Sequence, residues 1–161
     1  MIELEPYTEH DLPLLERSNS REMTEHLGGP ETNEQLQVRL RRYVVATTDQ
    51  ARMFKVIADG VPTGGVGFWE REWQGEQVYE TGWSVLAEFQ SRGIATEAMQ
   101  LLIRIARAAN RHEWMHAFPA PDNRPSNAIC RKLGFELLGE VAFEYPKGHW
   151  SPSNDWRLSL R

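Results

Sequence analysis

Residues 88–109 read EFQSRGIATEAMQLLIRIARAA and contain the strongest structural signal in the chain. From residue 94 onward, apolar side chains recur at helical spacing, while charged and polar side chains occupy the other side of the pattern. The apolar stripe consists of Ile94, Ala98, Leu101, Leu102, Ile105 and Ala109. This spacing predicts a helix over 94–109 that packs one face against a flat surface such as a sheet.

The turn that opens this helix is suited to holding an anion. Gly93 stands at the junction, where a glycine lets backbone N–H groups converge and the positive end of the helix dipole adds attraction. Arg92 can add a charged contact to the same group. The stretch therefore predicts a phosphate site, although a tight connection without a ligand is an equally good interpretation of the glycine alone.

Short strand-like and helical runs lie on both sides of this helix. Before it come a strand at 2–5, helices near 12–18 and 32–44, a hairpin that turns at 59–60 and ends near Trp69, and, after the polar run EREWQGE, a strand at 78–86. After it come a strand near 112–118, a short helix at 126–133 that Gly134 ends, and two more strands. This order predicts an α/β protein with a mixed sheet and helices on its faces.

Composition restricts the function further. The chain has 161 residues, 40% of them hydrophobic, which favours a single domain over 1–161. A net charge of -5 gives no basic surface for nucleic acid or anionic lipid, and no apolar run is long enough for a membrane span. The start lacks a signal-peptide pattern, and the single cysteine, Cys130, allows no internal disulfide. We expect a cytoplasmic protein.

Residues 112–116 read HEWMH, and on a helix the pattern HExxH builds the zinc site of a class of metallopeptidases. Here the helical pattern stops near Asn110, and Pro119 and Pro121 restrict any helix that would continue past it. In a strand, residues four apart are separated by roughly 13 Å, so His112 and His116 would not share one ion. The sequence predicts a strand without a metal, and a zinc metallopeptidase is the alternative.

Several stretches resemble the GNAT N-acetyltransferases. Gln90, Gly93 and Ala95 match the QxxGxA form of that family's acetyl-CoA signature, and YETGWSV at 79–85 is similar to the strand that precedes it. PDNRPSNAICRKLGFE at 121–136 resembles the family's later helix with its Asn, Ser and final LGF. The last two strand-like runs, FEYPKGHW and DWRLSL, resemble the subgroup related to the ribosomal-protein N-terminal acetyltransferases.

This resemblance implies a GNAT-like acyl-CoA N-acyltransferase fold, with a mixed, centrally splayed sheet that carries helices on both faces. It implies acetyl-CoA as cosubstrate and no metal. Backbone N–H groups of the 92–96 turn would hold the pyrophosphate, and the pantetheine would lie against the strand near Val85. The positions that match the family's CoA-binding residues are Val85, Gln90, Arg92, Gly93, Ile94, Ala95, Thr96, Asn123 and Ser126.

The implied reaction is attack of an amine on a thioester, which needs a proton acceptor, donors for the oxyanion and a proton for the leaving thiolate. Many relatives carry a tyrosine acid where this chain has Cys130, a residue that core packing explains as well. Ser126 matches the serine of the ribosomal-protein subgroup and is the candidate acid. Glu80 and Glu144 are both candidate bases, and the sequence does not choose between them.

The acceptor stays open at this level. Four tryptophans are candidates for lining an acceptor pocket, although core packing explains most of them better: Trp69, Trp73, Trp83 and Trp150. The subgroup resemblance favours a peptide or protein N-terminus, while a small amine, including an amine antibiotic, is equally compatible because a fold does not fix a substrate. A non-catalytic domain that binds CoA as a sensor is the alternative from another class, and the missing tyrosine favours it. We expect no nucleic-acid or membrane partner, and either a monomer or a homodimer.

Overall fold

The computed structural model describes residues 1–161, and an eight-stranded mixed sheet runs through its centre. In chain order the strands are β1 (Ile2–Pro6), β2 (Thr47–Thr48), β3 (Ala51–Ala58), β4 (Val61–Trp73), β5 (Glu76–Val85), β6 (Trp114–Ala117), β7 (Glu136–Glu144) and β8 (Trp150–Ser159). The helices are α1 (Leu12–Arg17), α2 (Asn33–Val45), α3 (Ile94–Ala109) and α4 (Arg124–Leu133). The predicted α/β architecture, with helices on both faces of a mixed sheet, is confirmed.

Sheet order is β1-β3-β4-β5-β6-β8-β7, with β2 paired to β3. Every neighbouring pair is antiparallel except β5 and β6, which are parallel and share only the register pairs Tyr79 with Met115 and Glu80 with His116. Beyond Glu80, therefore, β5 continues to Val85 without a strand on its β6 side. The sheet opens there into a gap, which is the central splay expected from the sequence.

Helix α3 covers one face of the sheet and forms the main core with β4, β5, β6 and β8. Its buried residues are Ile94, Ala98, Met99, Leu102, Ile103 and Ala106. The predicted stripe is thus partly wrong, because Leu101, Ile105 and Ala109 are only half-buried. Since α3 contacts β1, β4, β5 and α4, its buried face is broader than one stripe and is turned toward Met99 and Ile103.

The opposite face is covered in part by α1 and α2. A second apolar cluster joins these helices to the sheet through Tyr7, Leu14, Leu15, Leu36, Leu40 and Leu86. Thr32 begins α2 as a capping box, since its side chain accepts from the N–H of Gln35 while the Gln35 side chain accepts from the N–H of Thr32. Next to this cluster, the same face remains open over β5, β6 and β8.

Strand β4 is longer than the sequence suggested. The polar run EREWQGE reads as a loop, but β4 continues to Trp73, and only Gln74 and Gly75, with φ of 51° and 85°, form the turn to β5. Two consecutive residues at positive φ are what a two-residue hairpin turn requires. The consequence for function is that Arg71 and Trp73 lie on the sheet beside β5 rather than in a loop.

The HEWMH segment enters β6, which confirms the predicted strand. His112 contacts Glu70 through Nε2 at 2.5 Å, and His116 contacts Asp155 through Nδ1 at 2.6 Å. The two imidazoles are therefore paired with different carboxylates. No group of three or more potential metal ligands lies together in the structure. No helix is long and apolar enough to cross a membrane.

Candidate active site

The turn before α3 presents a continuous run of unbonded backbone donors. None of the N–H groups of residues 91–96 donates to a backbone or side-chain acceptor, and the first helical bond starts only at Glu97, to the carbonyl of Gly93. Ser91 and Gly93 take φ of 63° and 77°, which turns successive N–H groups toward the same side. Together with the positive end of a four-turn helix, these groups are suited to holding an anion, and residues 91–96 are called the cradle below.

The side chains next to the cradle make different contacts. Gln90 donates from Nε2 to the carbonyl of Val85 at 2.9 Å, so its amide ties the turn to the end of β5. The Arg92 guanidinium lies 5.7 Å from the centre of the Phe89 ring and is exposed to solvent. Ile94 is buried in the core, so only its backbone faces the cradle.

The gap beside β5 is lined by backbone polar groups. Leu86 donates to Thr63 of the neighbouring strand at 2.8 Å, which fixes the alternation of hydrogen bonds between β4 and β5. By this alternation the N–H groups of Trp83 and Val85 point away from β4 and into the gap. The gap thus offers donors along one wall, a few residues from the cradle.

Helix α4 stands across this gap. Asn123 caps it, because its Oδ1 accepts from the N–H of Ser126 at 3.3 Å. The Ser126 hydroxyl oxygen accepts from the Trp83 indole at 3.3 Å. An oxygen that accepts in this way still has its own proton to donate, so Ser126 presents an O–H group beside β5.

Cys130, on the same helix, is fully buried among core side chains. Burial raises the pKa of its thiol to about 12, because the thiolate would lose its hydration. A thiol with this pKa and no exposed surface is a poor proton donor for a substrate. The structure therefore supports the core-packing interpretation of Cys130.

Glu80 stands at the closed end of the gap, as the last β5 residue paired with β6. Its side chain is 14% exposed and accepts from Arg71 Nη1 at 2.6 Å. Burial raises the pKa of the Glu80 carboxyl above its usual value, and the Arg71 guanidinium opposes that rise only in part. The Arg71 side chain is itself held over the Phe143 ring at 4.7 Å.

Glu144, the other candidate base, lies away from the gap. It ends β7, the edge strand, which β6 and β8 separate from β5. Its Oε2 accepts from the backbone N–H of Gly148 at 3.0 Å, within the turn that joins β7 to β8. The structure thus does not bring the two candidate glutamates into contact, and it gives Glu144 a local partner in a turn.

A second titratable pair lies next to Glu80, and the sequence pattern did not point to it. His116 is the register partner of Glu80 on β6, and its ring is 5% exposed. Asp155 on β8 holds His116 through Oδ1 at 2.6 Å and accepts from the Trp73 indole through Oδ2 at 3.1 Å. The sequence pointed to this pair only through a histidine on a predicted strand. Asp155 is 39 residues further along the chain, and a local sequence pattern does not reach that far.

The four tryptophans that the sequence offered for an acceptor pocket do not converge. Trp83 faces Ser126 on the α4 side, whereas Trp69 and Trp73 alternate with it onto the opposite face of the sheet. Trp150 is 63% exposed at the β7–β8 hairpin. The open face beside Glu80 is instead lined by Trp69, Trp73, Phe118 and Phe143 around the Arg71 guanidinium.

The chain is similar to known proteins in sequence and in fold. A profile described as "Acetyltransferase (GNAT) domain" matches residues 2–136. An uncharacterized N-acetyltransferase, YnaD of Bacillus subtilis (strain 168), is 31% identical over 111 residues, which are 67% of this chain. The match spans 61% of the length of that relative.

Solved structures agree in fold. The GNAT-family acetyltransferase from Bacillus anthracis superposes with a TM-score of 0.82 at 21% identity, over 99% of this chain and 95% of that one. The ribosomal alpha-N-protein acetyltransferase RimL in complex with coenzyme A gives 0.80 at 19% identity, over 98% and 93%. The aminoglycoside acetyltransferase AAC(6')-Ib with coenzyme A gives 0.81 at 22% identity, over 99% and 95%. At these identities the matches confirm the fold.

Proposed function

This chain belongs to the GNAT acetyltransferase family, and on that premise we propose that it transfers the acetyl group of acetyl-CoA to a primary amine. The observation that carries the proposal is the run of unbonded N–H groups at 91–96, which opens beside the gap between β5 and β6. A pyrophosphate needs several converging donors, and a pantetheine needs a narrow path lined by peptide groups. In this chain the converging N–H groups and the gap lie next to each other at the start of α3.

The residues fit acetyl-CoA in further respects. An added Cβ at Gly93 would meet no protein atom within 4 Å, so the space beside this turn is open. Exposed Arg92 supplies a cation at the same turn. Val85 and Trp83 direct their N–H groups into the gap, where the amide groups of the pantetheine pair with backbone as an added strand would.

Proton transfer on the acceptor side is assigned to Glu80. An amine arrives mainly as the ammonium ion, which has no lone pair, so one proton must leave before nitrogen attacks the thioester carbon. Glu80 lies at the end of the gap on the face that α1 and α2 leave open, and burial keeps its carboxyl pKa raised. A raised pKa makes the carboxylate a stronger base for that proton.

The negative charge that develops on the thioester is assigned to two groups: backbone N–H groups stabilise it on the oxygen, and Ser126 neutralises it on the leaving sulfur. When nitrogen bonds to the carbonyl carbon, negative charge develops on the oxygen, and an N–H group from Trp83 or Val85 can donate to it. The carbon–sulfur bond then breaks, and the sulfur takes a proton from the Ser126 hydroxyl. The second proton of the nitrogen returns to the Ser126 oxygen, directly or through water, so the net products are an amide, a CoA thiol and the one proton that leaves to solvent.

Replacing Ser126 with alanine removes this donor and is expected to lower turnover by at least about tenfold, with the KM for acetyl-CoA unchanged, because the hydroxyl acts on the leaving sulfur rather than on binding. Steady-state kinetics on acetyl-CoA measure both quantities. Ser18→Ala is the matched control, since that hydroxyl only donates to the Leu14 carbonyl at a helix end. Full activity of Ser126→Ala would remove this residue from the mechanism.

The acceptor is tested by thiol release from acetyl-CoA across a panel of amines. The panel contains a hexapeptide with a free α-amino group, its N-blocked form with one internal lysine, kanamycin and spermidine. RimL and AAC(6')-Ib are named for a ribosomal protein and for aminoglycosides, respectively, so the peptide and kanamycin represent the two acceptor classes among the structural neighbours. Acceptor-dependent release supports the enzyme; CoA binding without release from any amine supports the sensor.

A further inference from the structure

His116 has the geometry of an oriented base. Its Nδ1 lies 2.6 Å from Asp155 Oδ1, while Asp155 Oδ2 is held by the Trp73 indole at 3.1 Å. A carboxylate fixed at both oxygens accepts the Nδ1 proton, and this leaves the lone pair of neutral imidazole on Nε2. The pair therefore sets the tautomer of His116.

The Nε2 atom is the free end of this arrangement. It has no hydrogen-bond partner in the protein, and it is not among the fully enclosed unpaired atoms, of which Arg157 Nε is the one found. The ring is thus almost completely buried while its basic nitrogen keeps access to solvent. A structural histidine of the core has no need for such an opening, because burying Nε2 against a donor would stabilise the fold more.

We propose that His116, positioned by Asp155, takes up the proton that the acceptor ammonium gives to Glu80. This inference rests on the proposed acetyl transfer, and it assigns His116 as a relay residue that acts through Glu80. The two are register partners on adjacent parallel strands, so their side chains stand side by side on the open face of the sheet. The proton passes from nitrogen to the Glu80 carboxylate and then to His116 Nε2, directly or through one water molecule.

Asp155 stabilises the imidazolium that this transfer forms, and the proton leaves to solvent from Nε2 after the acetyl group has moved. No oxidant or further reactant is needed. The charged groups that face this imidazole are Glu80 of β5, Arg71 of β4, and Asp155 and Arg157 of β8. Two carboxylates and two guanidinium groups nearly balance, which lets the imidazole change charge without a large net field.

The test compares three variants at the acceptor that gives the highest rate in the amine panel. Asp155→Asn keeps the volume but donates to Nδ1 and forces the proton onto Nε2, so neutral His116 can no longer accept there. His116→Gln removes the base outright. His112→Gln is the matched control, because His112 also pairs with a carboxylate, Glu70, and packs on Tyr79 of the α3 face.

We expect Asp155→Asn and His116→Gln to lower kcat at pH 7 by about 10²-fold, with the KM for acetyl-CoA unchanged, and His112→Gln to match the unsubstituted protein. The losses should shrink as pH rises, because the amine then arrives unprotonated. The double variant Glu80→Gln with His116→Gln should lose little more than Glu80→Gln alone, since both act on one proton. A folded Asp155→Asn protein with kcat within threefold of normal at pH 7 would overturn the relay.

The tautomer is measured independently by long-range ¹H–¹⁵N correlation spectra of the histidine rings. We expect the neutral ring of His116 to carry its proton on Nδ1 and to leave Nε2 free. The opposite tautomer would contradict the relay even if the variants do not fold. Absence of acetylation with every amine would instead contradict the proposed function, and the spectra would still decide the state of the dyad.

Discussion

Glu80→Gln is expected to lower turnover at pH 7 by about 10²- to 10⁴-fold while CoA affinity stays nearly unchanged. The substitution keeps the shape of the side chain and removes the carboxylate that lies at the end of the gap. Burial raises the pKa of this carboxyl, and a higher pKa makes the carboxylate a stronger base for the proposed proton transfer. Turnover from initial rates and CoA affinity from calorimetry give the two numbers.

The loss of activity in Glu80→Gln is expected to depend on pH. Below the acceptor pKa, about 8 for an α-amino group, the amine is mostly protonated and needs the base. The deficit of Glu80→Gln should therefore be largest below that value, in the pH range where the Glu80 carboxyl is still ionised, and should shrink above it. Glu144→Gln is the matched control, because that carboxylate binds Gly148 in a turn. A large loss in Glu144→Gln with full activity in Glu80→Gln would move the base to the β7–β8 hairpin.

Gly93→Val is expected to weaken CoA binding by about 10²-fold or more. A branched side chain at a residue with φ of 77° strains the turn, and its methyl groups enter the open side of the cradle. Each charge-assisted hydrogen bond contributes roughly 1.5–3 kcal/mol, so the loss of two of them accounts for a change of this size. Isothermal calorimetry with CoA measures the effect.

The control for backbone strain is Gly60→Val. Gly60 has φ of 82° in the turn between β3 and β4, and an added Cβ there also meets no protein atom within 4 Å. Both variants should lose a similar amount of thermal stability, whereas only Gly93→Val should lose CoA affinity. Unchanged affinity in a folded Gly93→Val protein would contradict the cradle.

Features set by neighbouring residues were predictable from the sequence. The bounds of α3, the anion cradle at Gly93, the Asn123 cap and the strand at HEWMH all follow from local spacing, turn chemistry or prolines within a few residues. The error in the predicted apolar stripe of α3 has a different cause. How far around a helix burial extends depends on how many elements contact it, and the sequence of one helix does not contain that information.

Features that depend on strand pairing were not predictable. The different positions of Glu80 and Glu144 follow from the order of the sheet, which puts one at the gap and the other on the edge strand. Arg71 lies in a polar stretch whose composition is typical of a loop. Its contact with Glu80 depends on β4 continuing through that stretch to Trp73. His116 and Asp155 meet because β6 and β8 pair across 39 residues.

The acetyl-CoA site is tested most directly by a titration of the ¹⁵N-labelled protein with CoA, followed by backbone amide spectra. Binding of CoA in the gap should produce the largest shifts at residues 91–96 and at Trp83 and Val85, because those N–H groups acquire acceptors on binding. His112 and the Gly60 turn should stay unchanged. Shifts confined to another surface, or none at saturating CoA, would contradict the assignment of this gap as the acetyl-CoA site.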